Sequence, residues 1–307
     1  RLTDELEEAM TTGSARATAS AVRQVEFTSP EVIRANARTV MQYAGIEPAD
    51  GDGAAITRGL VAALDRLQRY PTPLPAGDEG IGRPALVFVG EDEGWGTRIA
   101  QKFTARDGHP EGDASRVPGT KHAAVQTGID DGLKLVEEYH VGYAETVGQL
   151  IAVIVVGSNS AVLSGSDSSQ LATIFLSPRD NWGQLDYAEA ILHEGVHQAQ
   201  FLDQMIEPWF ERPHWDLNRE ELMVISPIRR VRRPLPLTLE AACVAAVLLD
   251  LLWWVGDHGR ATEMAVATAE SLTGVKKLDQ LLSSRGRSIV DQLAGAVSVS
   301  PALAAAE

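Results

Sequence analysis

The chain has 307 residues, of which 44% are hydrophobic and 22% charged, the balance of a folded protein with a substantial core. Its formal net charge of −15 excludes a general nucleic-acid binder and docking on anionic lipid, since both need a basic surface. A single cysteine, Cys243, excludes an intrachain disulfide, so no oxidising compartment is needed and the cytoplasm is the expected location.

The N-terminal residues, 1 to about 80, read as a helical region ahead of a metal-binding catalytic domain over 81–307, or as part of one continuous domain. Ser29-Pro30-Glu31 predicts a helix start with proline at the first position, and Gly45 ends that helix. A second amphipathic helix is predicted over Thr57–Tyr70, stopped by Pro71-Thr72-Pro73-Leu74-Pro75, which marks the domain boundary. Ala85–Val89 reads as a short strand. Residues 90–128 read as a long irregular segment, and His109 and His122 within it as solvated loop histidines. One helix is expected over Ile129–Gln149, then a buried strand over Leu150–Val156. The Ser/Gly-rich stretch Gly157–Ser169 lacks the pattern of a phosphate-binding loop. Leu171–Leu176 reads as a strand closed by Ser177-Pro178, with an edge able to pair with an extended peptide.

His193-Glu194-Gly195-Val196-His197 follows, a His-Glu-x-x-His motif in a segment with helical signals. Asp186 and Glu189 match a capping box, Ile191, Leu192, Val196, Ala199 and Leu202 supply an apolar face, and Pro208 is the last position the helix can reach. Residues four apart share one helix face, so His193 and His197 can offer two imidazole nitrogens to one metal, with Glu194 beside them. The motif fits zinc or iron.

Most catalytic sites use a third protein ligand. Glu207, Glu211, His214, Asp216, Glu220 and Glu221 are downstream candidates. Glu240 is favoured, because it starts a helix that otherwise reads as buried, and a buried carboxylate needs a partner or a metal. That helix, from about Leu239 to Val255, holds Cys243 as a small buried hydrophobe and Asp250 in a run too short to span a bilayer. One or two helices are expected over 260–295. Just before Glu240, the segment from Arg229 to Arg233 holds four arginines in five positions of an acidic chain, which reads either as a solvated loop making surface ion pairs or as an anion site.

The stretch from about Leu133 to Leu251 resembles the HEXXH-motif peptide β-hydroxylases. The matching pieces, in order, are the helix and apolar strand from Tyr143 to Val156, the serine-rich loop and strand from Ser168 to Ser177, His193-Glu194-x-x-His197, the Ser226-Pro227-x-Arg229 segment, and Arg233-Pro234-Leu235. The family tends to place a third ligand, often histidine, seven residues after the arginine; Glu240 stands there, completing a two-histidine, one-carboxylate set. Ile228 replaces the family's usual tryptophan.

The resemblance implies an Fe(II) and 2-oxoglutarate dependent oxygenase that hydroxylates the β-carbon of a residue in a peptide, or of a carrier-tethered amino acid, in natural-product biosynthesis. His193, His197 and Glu240 would hold iron, and Arg229 or Arg233 the distal carboxylate of the cosubstrate. Glu194 would then orient a ligand or bind substrate. The alternative is a zinc metallopeptidase with the same ligands and Glu194 as general base. It leaves the arginines unexplained, and no secretion signal is visible. A metal-retaining structural protein ranks third. The expected fold is α+β, predominantly helical, with a small β-sheet packed beside the His-Glu-x-x-His helix.

Overall fold

The computed structural model describes residues 25–47, 53–68, 83–91, 94–104 and 114–305. The fold is α+β and predominantly helical, with a small mixed sheet, as the sequence predicts. Residues cluster into two compact units. The first is Phe27–Glu207; the second runs from Pro208 onward and includes Val25 and Glu26. The proline run at 71–75 and His109 lie outside the described residues.

In the first unit, α1 (Pro30–Tyr43) starts as predicted, with the Ser29 hydroxyl accepting from the Val32 N–H at 3.3 Å. It ends at Gly45, whose φ of +67° favours glycine. Helix α2 spans Gly53–Leu67, one turn earlier than predicted at each end. Strand β1 is Ala85–Phe88, and α3 (Trp95–Thr104) occupies part of the segment expected to be irregular. The single helix expected over Ile129–Gln149 is two, α4 (His122–Tyr139) and α5 (Val141–Leu150). They part at His140, whose backbone is extended (φ −158°, ψ 108°). Tyr139-His140-Val141-Gly142 is poor in helix propensity, yet the apolar spacing runs through it, so periodicity hid the break.

His122 is not a solvated loop residue. It opens α4, stacks on Phe88 at 3.7 Å between ring centroids, and places Nε2 3.0 Å from the Val117 carbonyl oxygen.

The sheet joins β1, β2 (Val153–Val156), β3 (Ser164–Asp167) and β4 (Gln170–Leu176) in the order β1-β2-β4-β3. β1, β2 and β4 run parallel, with Val153 opposite Thr173 and Ala85 opposite Val153; β3 is antiparallel to β4. β4 is therefore an interior strand with no edge for a peptide. β3, drawn from the stretch expected to be a loop, takes the edge beside it.

Helix α6 (Gln184–Ile206) carries the motif. Its face bearing Tyr187, Ala190 and Ile191 meets Ile154 and Ile174 of the sheet, Ile129 of α4 and Val147 of α5 in one buried core. Each fully buried Ile contributes about 1.5–3 kcal/mol. The helix crosses its neighbours at very short range. A Cβ at Gly132 would stand 2.7 Å from Tyr187 Cβ, and one at Gly195 would stand 2.9 Å from Val147 Cγ2. Gly195, an "x" of the motif, is thus required by packing against α5.

In the second unit, a hairpin of β5 (Met223–Ile225) and β6 (Arg232–Pro234) leads straight into α7 (Leu235–Trp254). Helix α7 is long and apolar enough to cross a membrane, with mean hydropathy 2.0, but 94% of that window is buried, and it forms the core of this unit. Helices α8 (His258–Lys276), α9 (Ser284–Ser298) and α10 (Pro301–Ala304) complete it, with α8 packed along α7. Cys243 is fully buried on α7.

Candidate metal centre

The motif lies in the middle of α6, away from frayed ends. The helix starts a turn earlier than the predicted capping box. Gly183 is the N-cap and Asp186 the third helical residue, its carboxylate accepting from the Gly183 N–H at 2.8 Å. His193 and His197 lie one above the other, ring centroids 5.0 Å apart and planes at 61°.

His197 is prepared for a metal. Its Nδ1 is 2.8 Å from Gln200 Oε1, and an amide oxygen can only accept, so Nδ1 carries the proton. That tautomer leaves the Nε2 lone pair for a metal. Phe201 stacks on the same ring, with centroids 5.9 Å apart and planes at 12°. His193 is about one quarter exposed, with Nε2 3.9 Å from Glu194 Oε1.

Glu194 is only 2% exposed. Its Oε1 accepts from the Ser164 hydroxyl at 2.6 Å, so edge strand β3 anchors this carboxylate from across the sheet. The neighbouring Gln198 fixes the helix on β4. The Ala172 N–H donates to Gln198 Oε1 (2.8 Å), and Gln198 Nε2 donates to the Thr173 carbonyl (3.2 Å). Ala172 has a φ of +62°, uncommon for alanine, and this side chain meets its displaced amide. The motif and the adjoining Gln198 are thus held by four hydrogen bonds that reach β3, β4 and the next helical turn.

Glu240, Arg229 and Arg233 belong to the second unit. Glu240 stands in the second turn of α7 and is 7% exposed. The four arginines have different surroundings. Arg230, in the hairpin turn with φ +54°, pairs with Glu270 at 3.0 Å. Arg232 donates to the carbonyls of Glu220 (2.8 Å) and Met223 (3.3 Å). Arg229 is exposed. Arg233 is half-buried, and its guanidinium has no hydrogen bond or ion pair to any described residue. The Thr238 hydroxyl lies 3.2 Å from the carbonyl oxygens of both Val224 and Arg233, tying the hairpin to α7 two residues before Glu240. Of the other candidates, Glu207, Glu211, His214, Glu220 and Glu221 are exposed and Asp216 is partly so; His214 sets its ring against Phe210, with centroids 5.3 Å apart.

The structure therefore brings His193, Glu194 and His197 together in the first unit and places Arg233 and Glu240 in the second. Among the described residues, no group of three or more His, Cys, Asp or Glu side chains is gathered for a metal ion. The donor chemistry at the motif nevertheless fits a divalent transition metal: two imidazoles on one face, one with its second nitrogen committed. Ser164, Gln198 and Gln200 are functional candidates that the sequence reading missed. Only Gln200 had a local signal, being three residues after His197 on the same helix. No protein-family model and no curated protein matches this chain.

Proposed function

We propose that this chain is a non-haem Fe(II) and 2-oxoglutarate dependent oxygenase, acting in the cytoplasm on a peptide or carrier-tethered amino acid of natural-product biosynthesis. The observation that carries the reading is the setting of Glu194. A hydrolytic general base needs a carboxylate open to the attacking water. Glu194 is instead buried and hydrogen-bonded to Ser164. That setting supports a role in orienting the site, one of the two roles that the oxygenase reading leaves to it.

Iron, when bound with 2-oxoglutarate and dioxygen, supplies hydroxylation of an unactivated C–H bond, with succinate and carbon dioxide as the other products. The protein's part is to bind and orient. His193 and His197 present two nitrogens, Gln200 fixes the His197 tautomer, and Ser164 fixes Glu194. Glu240 enters as third ligand on the family resemblance. Arg233 is preferred over Arg229 for the distal carboxylate of the cosubstrate, because a half-buried guanidinium with no partner among the described residues has its two-pronged face available.

The test is anaerobic absorption spectroscopy of metal-free protein titrated with Fe(II) and then 2-oxoglutarate. The expected result is a visible metal-to-ligand charge-transfer band that is lost in Glu240→Ala protein and needs far more 2-oxoglutarate in Arg233→Ala protein. No band, with tight Zn(II) binding in its place, would overturn the oxygenase reading in favour of the hydrolase.

A further inference from the structure

Strand β3 is the edge of the four-stranded sheet nearest the motif, and part of its backbone is not used by β4. The Ser177 N–H donates to the Leu163 carbonyl at 2.8 Å, and Gly165 stands opposite Phe175. In an antiparallel pair, residues bonded to the partner strand alternate with residues whose main-chain groups face away. The N–H and C=O of Ser164 therefore point out of the sheet, and no described residue gives them a backbone partner there. We propose that this edge is the binding strand of the peptide substrate, which adds to the sheet as an outer, antiparallel strand. The proposal rests on the reading of the motif as a centre that hydroxylates a peptide, and it names the main-chain anchor of that peptide.

The edge lies beside the motif. Glu194 Oε1 accepts from the Ser164 hydroxyl at 2.6 Å, and the same oxygen is 3.9 Å from His193 Nε2. The Ser164 side chain thus lies on the face of the sheet that carries α6. Helix α3 lies on the other face, where a Cβ at Gly165 would stand 3.5 Å from Phe103 Cβ. Between the two helices the edge stays open: Ser164, Gly165 and Ser166 are only half-buried, and Leu163 at its start is 49% exposed. Ser164-Gly165-Ser166 carries neither proline nor charge, two of the devices that keep an edge from pairing. The register shift between Gly165 and Asp167 ends the regular edge, so the segment held is short, about three residues.

Side-chain alternation then selects a carbon. The peptide residue opposite Ser164 exchanges both main-chain bonds with it, and the two side chains share one face. Its β-carbon therefore projects on the α6 face, beside Glu194 and His193. The β-carbons of its two neighbours project on the α3 face. A strand-bound peptide held by this edge offers the motif one β-carbon and turns the adjacent ones away.

The experiment selects binders from a displayed library of random decapeptides on the intact, metal-free protein, so that it reads binding without chemistry. The enriched peptides are then remade with one amide N-methylated at a time. Affinity should fall about tenfold or more at alternate positions only, since every second residue of an added strand bonds to the edge. Amide hydrogen exchange of residues 163–167 should slow when peptide is bound. No enriched peptide, losses that do not alternate, or unchanged exchange at 163–167 would overturn the proposal. Exchange there that slows with rising protein concentration in the absence of peptide would assign the edge to a second copy of this chain and overturn it as well. Alternating losses and slowed exchange in a protein that gives no charge-transfer band with Fe(II) and 2-oxoglutarate would keep the strand site and remove the oxygenase.

Discussion

A histidine binds metal well only when its other nitrogen is committed, and Gln200 makes that commitment for His197 at 2.8 Å. Gln200→Leu removes the acceptor while keeping most of the volume. We expect it to weaken Zn(II) or Fe(II) binding by about 10- to 100-fold, the usual cost of losing such an outer partner. Gln200→Glu keeps an acceptor at the same place and should restore most of the affinity. Competition against a chelating dye measures both; equal affinity in the Leu variant and the parent would remove Gln200 from the site. At this scale the two histidines were legible from spacing alone. Ser164 was not, because its hydrogen bond to Glu194 spans 30 positions of chain and depends on strand pairing. Arg233 was legible only as one of four; its separation from Arg230 and Arg232 rests on partners that the hairpin brings to those two.

At the scale of elements, the contact between α6 and β4 sets where the motif sits. Gln198 acts as a short substitute strand, meeting the Ala172 N–H and the Thr173 carbonyl where the positive φ of Ala172 turns the backbone out of register. Gln198→Ala leaves that buried amide without an acceptor, at a cost of about 1–3 kcal/mol. Urea unfolding at neutral pH should show the loss as a lower midpoint with unchanged slope, and an unchanged midpoint would mean that water replaces the side chain. The amphipathic α1, the uniformly apolar α7 and the apolar run of β2 were readable from sequence. Ser164-Gly165-Ser166-Asp167 was not, since it has no apolar alternation and is a strand only because β4 offers a free edge. Its addition turned β4 from an expected edge strand into an interior one. The start of α6 was misplaced by one turn for a related reason: Asp186 is both a good N-cap and a good third residue, and Gly183, with no side chain to signal it, took the cap.

For the whole molecule, an acidic composition makes stability depend on which carboxylates are ionised in the folded state. Asp250 is the clearest case. It lies in α7 among apolar residues, and burial pushes its carboxyl up from 3.8 to about 7. The folded chain therefore holds Asp250 neutral over a range in which the unfolded chain ionises it. Below the unfolded value both states are protonated and the residue carries no penalty. As pH rises from about 4 to about 7 the unfolded state gains the ionisation alone, and stability falls; above about 7 the loss is complete. A shift of this size corresponds to a loss on the order of 4 kcal/mol. Asp250→Asn keeps the shape and removes the ionisation. It should match the parent near pH 4 and exceed its stability by up to about 4 kcal/mol near pH 8, with the difference growing between those limits. Urea unfolding of both proteins across that range measures it. A difference that stays constant with pH would mean that Asp250 is ionised inside the fold and that a cation or water reaches it there. The test is separate from the metal reading, because α7 carries Asp250 ten residues beyond Glu240, nearly three helical turns along the axis.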